Sequence, residues 1–221
     1  MNLLEQLMSQ GLAWLYRVTG DYALAIILLT VAIRVLLAPL YMYQMKSMKR
    51  MQELQPKIKE LQEKYQSQPE KFQQEMVNLY REHRVNPFSG CLPLLIQMPF
   101  LWAIFQVLYN FQYVDLQGNP ITPTLFGTSI VLNQPDVWYR LPLLSGLVTF
   151  VQSWLSMPSG AADPNARMMT YFMPVLIVWF TTKYPAGLAL YWLVTTLVGL
   201  IQQAIYPGFP ALQPKKEAAA K

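Results

Sequence analysis

The chain has 221 residues, of which 53% are hydrophobic and 13% charged, where a soluble domain is roughly a quarter charged. Its net charge of +5 is unevenly spread: nine of the 17 Lys and Arg lie between Gln44 and Asn86, and long apolar stretches carry almost none. The single cysteine, Cys91, excludes an intramolecular disulfide and a multi-cysteine metal site, and is expected to be a small buried residue.

In chain order, the N-terminus has no basic region ahead of an apolar stretch and makes a poor secretory signal. Leu3, Leu4, Leu7, Met8, Trp14, Leu15 and Val18 paint one face of a helix, with Glu5, Gln6, Ser9 and Gln10 opposite. This predicts an amphipathic helix over 1–20 lying in the membrane interface; a short helix packed on other protein is the alternative. Crossing ~30 Å of hydrocarbon takes about 20 helical residues. Five stretches meet that need: 22–43, 87–109, 138–157, a shorter 168–183, and 185–206. Lys183-Tyr184-Pro185 leaves room only for a tight turn, so the last two are expected to be antiparallel neighbours. Trp138, Tyr139, Tyr184 and Tyr206 stand at span ends, where interfacial aromatics sit. Pro39, Pro93, Pro99, Pro142 and Pro174 each remove a backbone donor and are expected to bend their helices.

Between the first two spans the pattern changes. Met51, Leu54, Ile58, Leu61 and Tyr65 repeat at 3, 4, 3, 4, the seam of a coiled coil; "QSQP" breaks it, and Phe72, Met76, Leu79 and His83 resume at 4, 3, 4. Residues 44–86 therefore predict an antiparallel helical hairpin with nine basic and six acidic residues, expected to be a mobile contact device for another protein, with a salt-laced spacer between two spans as the alternative. If 44–86, the loop 157–168 and the tail 207–221 share one side, that side holds thirteen of the 17 basic residues. The positive-inside rule then puts the N-terminus outside and the tail in the cytoplasm. The expected organisation is all-α: an interfacial helix (1–20), a first span (21–43), a cytoplasmic hairpin (44–86), four further spans with their loops (87–206) and the tail.

No Asp, Glu or His lies within any of the five spans, yet the first carries Arg34. A guanidinium cannot lose its charge at biological pH, and a charge near mid-membrane costs roughly 2.5–3.5 kcal/mol on insertion scales. Nine residues separate it from Tyr43, about 13 Å of helix, so snorkelling to the cytoplasmic surface is a strain and water reaching the charge is the other solution. Neighbouring spans offer polar faces. Thr30 lies one turn from Arg34. Ser145, Thr149, Gln152 and Ser156 form a stripe at 4, 3, 4 spacing; Tyr191, Thr195 and Gln202 line one edge of the last span, with Trp192, Thr196 and Gln203 beside it; Gln97 adds an amide in the second. The fourth span, with "VLIVWF" at its centre, has no such stripe and is expected to face lipid. The same polar residues could instead join helices by hydrogen bonds. A hydrated groove around one unpaired cation awaits an anion delivered from elsewhere.

Here the residues resemble the YidC family of membrane protein insertases. Arg34 in "IRVLLAPL" matches the family's first core span; "NPFSGCLPLLIQMPF" (86–100) matches the start of the second; "MMTYFMPVL" (168–176), "YPAGLALYW" (184–192) and "IQQ" (201–203) match the last two. The resemblance implies a groove closed toward the outside and open to the cytoplasm and the lipid, whose arginine receives the hydrophilic end of an inserting protein. It places Arg34, Thr30, Gln97, Gln152, Tyr191 and Trp192 in that groove, and the residue pattern adds Thr149. The family often has Asn where this chain has Thr196, which implies a weaker contact there. It implies nascent membrane proteins as substrates in the lipid bilayer of a bacterial cell membrane, and a hairpin that recruits partners linked to the ribosome, the signal recognition particle pathway and the Sec translocon. A form without a large extracytoplasmic domain, with a short, modestly basic tail, is expected. No nucleotide loop or cofactor site is visible, nor a signal for sequence-specific nucleic-acid binding, so neither an enzyme nor a cofactor is expected. A small-solute transporter or channel also wants a polar membrane cavity, but proton coupling wants a titratable group that the spans lack. An intramembrane protease wants HExxH, paired membrane aspartates or a serine–histidine dyad, and none is present.

Overall fold

The computed structural model describes residues 3–83, 85, 92–156 and 164–205. Among these the chain is all-helical apart from a connection at 111–139 that holds two isolated β-bridges, Val114 with Pro120 and Thr124 with Val131. The helices are α1 (Leu3–Thr19), α2 (Tyr22–Leu36), α3 (Ala38–Glu53), α4 (Gln55–Lys64), α5 (Pro69–Glu82), α6 (Leu92–Asn110), α7 (Arg140–Ser156), α8 (Pro164–Lys183) and α9 (Ala186–Ile205). Cys91, the 86–91 motif, most of the 157–168 loop, Tyr206 and the tail lie outside the described residues.

The bundle is organised around α9, which is buried along most of its length and packs chiefly on α2 and α7. Small residues allow that closeness: a Cβ on Gly187 would stand 3.1 Å from the Leu132 carbonyl oxygen. On α7, a Cβ on Gly146 would meet Val178 Cγ2 at 2.2 Å, so α8 packs directly on backbone there. Only α9 among the described helices is by itself long and apolar enough to cross a bilayer; α2 with the helices after it also qualifies if the bent pair counts as one segment. The outer surface carries a broad apolar belt, with Trp102, Leu147, Trp154, Phe172, Val175, Trp179 and Ile201 all exposed. The "VLIVWF" helix, α8, turns Val175, Leu176 and Trp179 outward.

Three local readings change. The stretch 22–43 is not one straight helix: α2 ends at Leu36, and the next helical segment is turned by 59°. Pro39 explains the break, because it cannot donate to the carbonyl of Val35 and its ring crowds that turn. Second, the apolar residues of α1 divide between two faces. Met8, Leu12 and Tyr16 are buried, with Leu4 and Leu15 beside them, while Leu3, Leu7, Trp14 and Val18 stay exposed. The helix packs along an i, i+4 ridge against α2 and α6 and keeps a second apolar stripe outward. Third, the hairpin seam is interrupted at Leu54, with Pro56 starting α4. Leu54, Ile58 and Val85 form its small buried cluster, flanked by Met51, Phe72, Leu79 and Tyr80. His83, expected at the seam's end, is exposed; its Nε2 faces Lys57 Nζ at 2.8 Å, and Tyr80 and Val85 fill the apolar position.

At the other end of the bundle the 111–139 connection is tied down. Tyr22 stacks on Tyr16 at 3.8 Å, and its hydroxyl donates to the Val114 carbonyl (2.9 Å). Ala186 N–H donates to the Gln134 carbonyl (2.7 Å) and Gly187 N–H to that of Leu132 (2.9 Å), satisfying the first donors of α9. Asp136, 3% exposed, accepts from the N–H groups of Trp138 (3.1 Å) and Leu141 (2.8 Å) and so caps α7.

Candidate functional site

Arg34 sits in the last turn of α2, half-buried, facing α9. Among the described residues its surroundings are aromatic and amide groups, with no carboxylate. Its Cζ lies 5.5 Å from the centroid of the Tyr41 ring. Tyr41 is seven residues on, across the bend, and its hydroxyl reaches the Gly199 carbonyl at 3.4 Å. Gln152 of α7 comes within hydrogen-bonding reach of the same hydroxyl. Gly199 makes this convergence possible: a Cβ there would lie 2.8 Å from Gln152 Nε2, 3.6 Å from Arg34 Nη2 and 3.7 Å from the Tyr41 hydroxyl oxygen. Gln202 Nε2 donates to the main-chain carbonyl of Arg34 at 3.2 Å. Two buried atoms of this cluster have no hydrogen-bond partner among the described residues: Nε of Arg34, a donor, and Oε1 of Gln202, an acceptor. An orphaned buried polar group costs about 1–3 kcal/mol.

The other polar residues stand at helix junctions. Gln97 of α6 donates its amide to the Tyr191 hydroxyl, and Tyr191 is 1% exposed. Trp192 Nε1 donates to Thr149 Oγ1 at 3.1 Å, and that hydroxyl donates to Ser145 O at 2.7 Å. Ser145 Oγ donates to Ala189 O at 3.0 Å, and Gln203 Nε2 to Ser156 Oγ at 3.3 Å. Thr30 and Thr196 spend their hydroxyls on their own helices, donating to Ile26 O (2.7 Å) and Trp192 O (2.8 Å). The expected residues therefore divide. Arg34 and Gln152 gather at one cluster, while Gln97 with Tyr191, and Thr149 with Trp192, join α9 to α6 and α7. Thr30 and Thr196 are buried beside them without bridging. Tyr41, Gly199 and Gln202 complete the arginine cluster. The i, i+7 spacing of Arg34 and Tyr41 was a signal for the first of these, and Gln202 already stood on a polar stripe; nothing local in the sequence singles out Gly199.

The sequence profile described as the 60Kd inner membrane protein family matches residues 14–209. Proteins named membrane protein insertase YidC are similar over most of the chain. That of Fusobacterium nucleatum is 37% identical over 209 residues, covering 92% of this chain and 96% of the relative. That of Wolinella succinogenes is 39% identical over 209 residues, 95% of this chain and 37% of the relative. The chain thus spans little more than a third of that relative's length. The fold is similar to a crystal structure of an active YidC insertase with the first transmembrane domain resolved. The TM-score is 0.63 at 28% identity, over 91% of this chain and 46% of the other. A profile match along nearly the whole chain, and a relative of almost equal length, place this protein in the 60Kd inner membrane protein family, that of the YidC insertases.

Proposed function

We propose that the chain is a membrane protein insertase of a bacterial inner membrane, and that Arg34 receives an acidic or polar segment of the inserting protein in a groove that water enters from the cytoplasm. The observation that carries this is a cation with no carboxylate against it among the described residues, whose own buried Nε and the neighbouring buried Oε1 of Gln202 lack hydrogen-bond partners there. A water molecule can serve either orphan. Attraction between the guanidinium and a carboxylate about 4 Å away is about 1 kcal/mol in water and about 4 at an effective dielectric of 20. That is enough to draw a short acidic leader partway in without nucleotide hydrolysis. The apolar outer face of α8 then offers the client helix a route into lipid.

In this reading α2, α6, α7, α8 and α9 each cross the bilayer, with the N-terminus outside and the α4–α5 hairpin in the cytoplasm. The exposed stripe Leu3, Leu7, Trp14 and Val18 lies in the outer interface. The clients are nascent membrane proteins, and the hairpin meets ribosome-, signal-recognition-particle- or Sec-linked partners. The test is insertion of a small single-span protein with an acidic leader by Arg34→Ala and Arg34→Lys. Loss in Ala and retention in Lys is expected; insertion by Ala with failure in Lys overturns charge attraction.

The bonds from Gln97, Ser145, Trp192 and Gln203 favour a second reading, a scaffold in which polar stripes only join helices. Single cysteines at 30, 149 and 152 in a Cys91→Ser background separate the two. Labelling by a membrane-impermeant thiol reagent from the cytoplasmic side at 152 supports the groove, and protection at all three supports the scaffold.

A further inference from the structure

We propose that Tyr41 is a positioning residue for Arg34, a neutral counter-group that holds the guanidinium in place while leaving its charge available to an acidic client segment. The inference rests on the insertase reading and deepens it.

The argument starts from what an unpaired arginine needs. Without a partner its long side chain samples many rotamers, and ordering it costs conformational entropy. A carboxylate would order it but would also neutralise it and occupy its donors. An aromatic face does neither: it attracts the cation through the ring quadrupole, accepts none of the five N–H groups in a conventional hydrogen bond, and carries no formal charge. Tyr41 offers such a ring 5.5 Å from Arg34 Cζ. Its place is set from outside its own helix, by the contact of its hydroxyl with Gly199 O at 3.4 Å and by the nearby Gln152 amide. The missing side chain of Gly199 leaves room for all three groups. Tyr41 thus ties the arginine to α7 and α9, across the break that Pro39 makes between α2 and α3.

The experiment is binding of a fluorescent acidic-leader peptide, and of its uncharged Asn/Gln counterpart, to the full chain in lipid nanodiscs. Tyr41→Leu is expected to bind the acidic peptide about 2- to 30-fold more weakly, the equivalent of about 0.5–2 kcal/mol for a lost cation–π contact. Tyr41→Phe keeps the ring but loses the hydroxyl that places it, and is expected to lose less binding than Tyr41→Leu, while the uncharged peptide is expected to be indifferent to both. In an Arg34→Ala background the Tyr41→Leu effect is expected to vanish, as a double-mutant cycle requires of coupled residues. Equal losses for both peptides, or the same loss with and without Arg34, overturn the inference. If Arg34→Ala alone leaves acidic binding unchanged, it is the insertase reading that fails instead. Should Tyr41→Leu not fold, Tyr41→Glu against Tyr41→Gln gives the same decision: the internal carboxylate is expected to abolish acidic-peptide binding and the amide only to weaken it. Equal binding by the two overturns the proposal.

Discussion

Gly146→Ala tests the packing on which the bundle depends. The added Cβ would stand 2.2 Å from Val178 Cγ2 and 3.3 Å from the Pro174 carbonyl oxygen. Carbon atoms rest at about 3.5–4.0 Å, so a gap of more than an ångström must open somewhere. Val178 cannot simply swing away, because a β-branched side chain in a helix keeps one χ1 rotamer about 90% of the time. The alternative is for α8 to back off from α7, breaking the most extensive helix pairing in the bundle. Overpacking of this kind costs about 1–3 kcal/mol. For a chain of this size that lowers a thermal midpoint by about 2–4 °C per kcal/mol. The assay is thermal unfolding of purified protein in detergent, with Val178→Ala as the second arm. Removing the two γ-methyls deletes the clashing atom, so the double variant is expected to be more stable than Gly146→Ala alone. An unchanged midpoint in Gly146→Ala refutes the reasoning, as does a double variant no better than the single one.

Two further outcomes concern the 111–139 connection. Asp136→Ala leaves the N–H groups of Trp138 and Leu141 without acceptors and is expected to cost about 1–3 kcal/mol, with faster amide exchange confined to this connection and the start of α7; unaltered exchange there would count against the cap. The side-chain amide of Asn119, and then its main-chain N–H, hold the Asp115 carboxyl below the ordinary carboxylate range. A value depressed in the fold gives stabilisation that is complete above the ordinary carboxylate pKa and fades as pH falls through the depressed one. The 115–119 turn is therefore expected to be insensitive to pH near neutrality. Asn119→Ala should raise the midpoint of Asp115 in an NMR titration, and an unmoved midpoint would show that other groups set it.

The sequence made the helical architecture legible because apolar runs and seam spacing are local signals. The α4–α5 pair and the outward face of α8 both follow from them. Arg34 stood out by elimination, since a permanent charge in an apolar run with no acid in any span is visible without a fold. Helix ends near prolines were harder: Pro39 and Pro56 end helices where the apolar pattern continues unbroken. How α1 divides its apolar arc was not legible for a different reason. Its apolar residues run on around the helix, and only the docking of α2 and α6 decides which of them are buried and which stay outward. The polar stripes were found, but spacing cannot say whether a hydroxyl bridges to a neighbour, as Ser145 does, or returns to its own helix, as Thr30 does. Gly146 and Gly199 were silent because what a glycine makes room for belongs to other helices.

The two bonds from Leu132 and Gln134 to the head of α9 use only peptide groups. Peptide groups are common to every residue type save proline's missing N–H, so that join is indifferent to which side chains the connection displays. Its exposed surface is free to diversify by substitution, whereas adding or deleting one residue between 132 and 134 would shift the carbonyls out of register and unfasten the end of the helix on which the rest of the bundle leans.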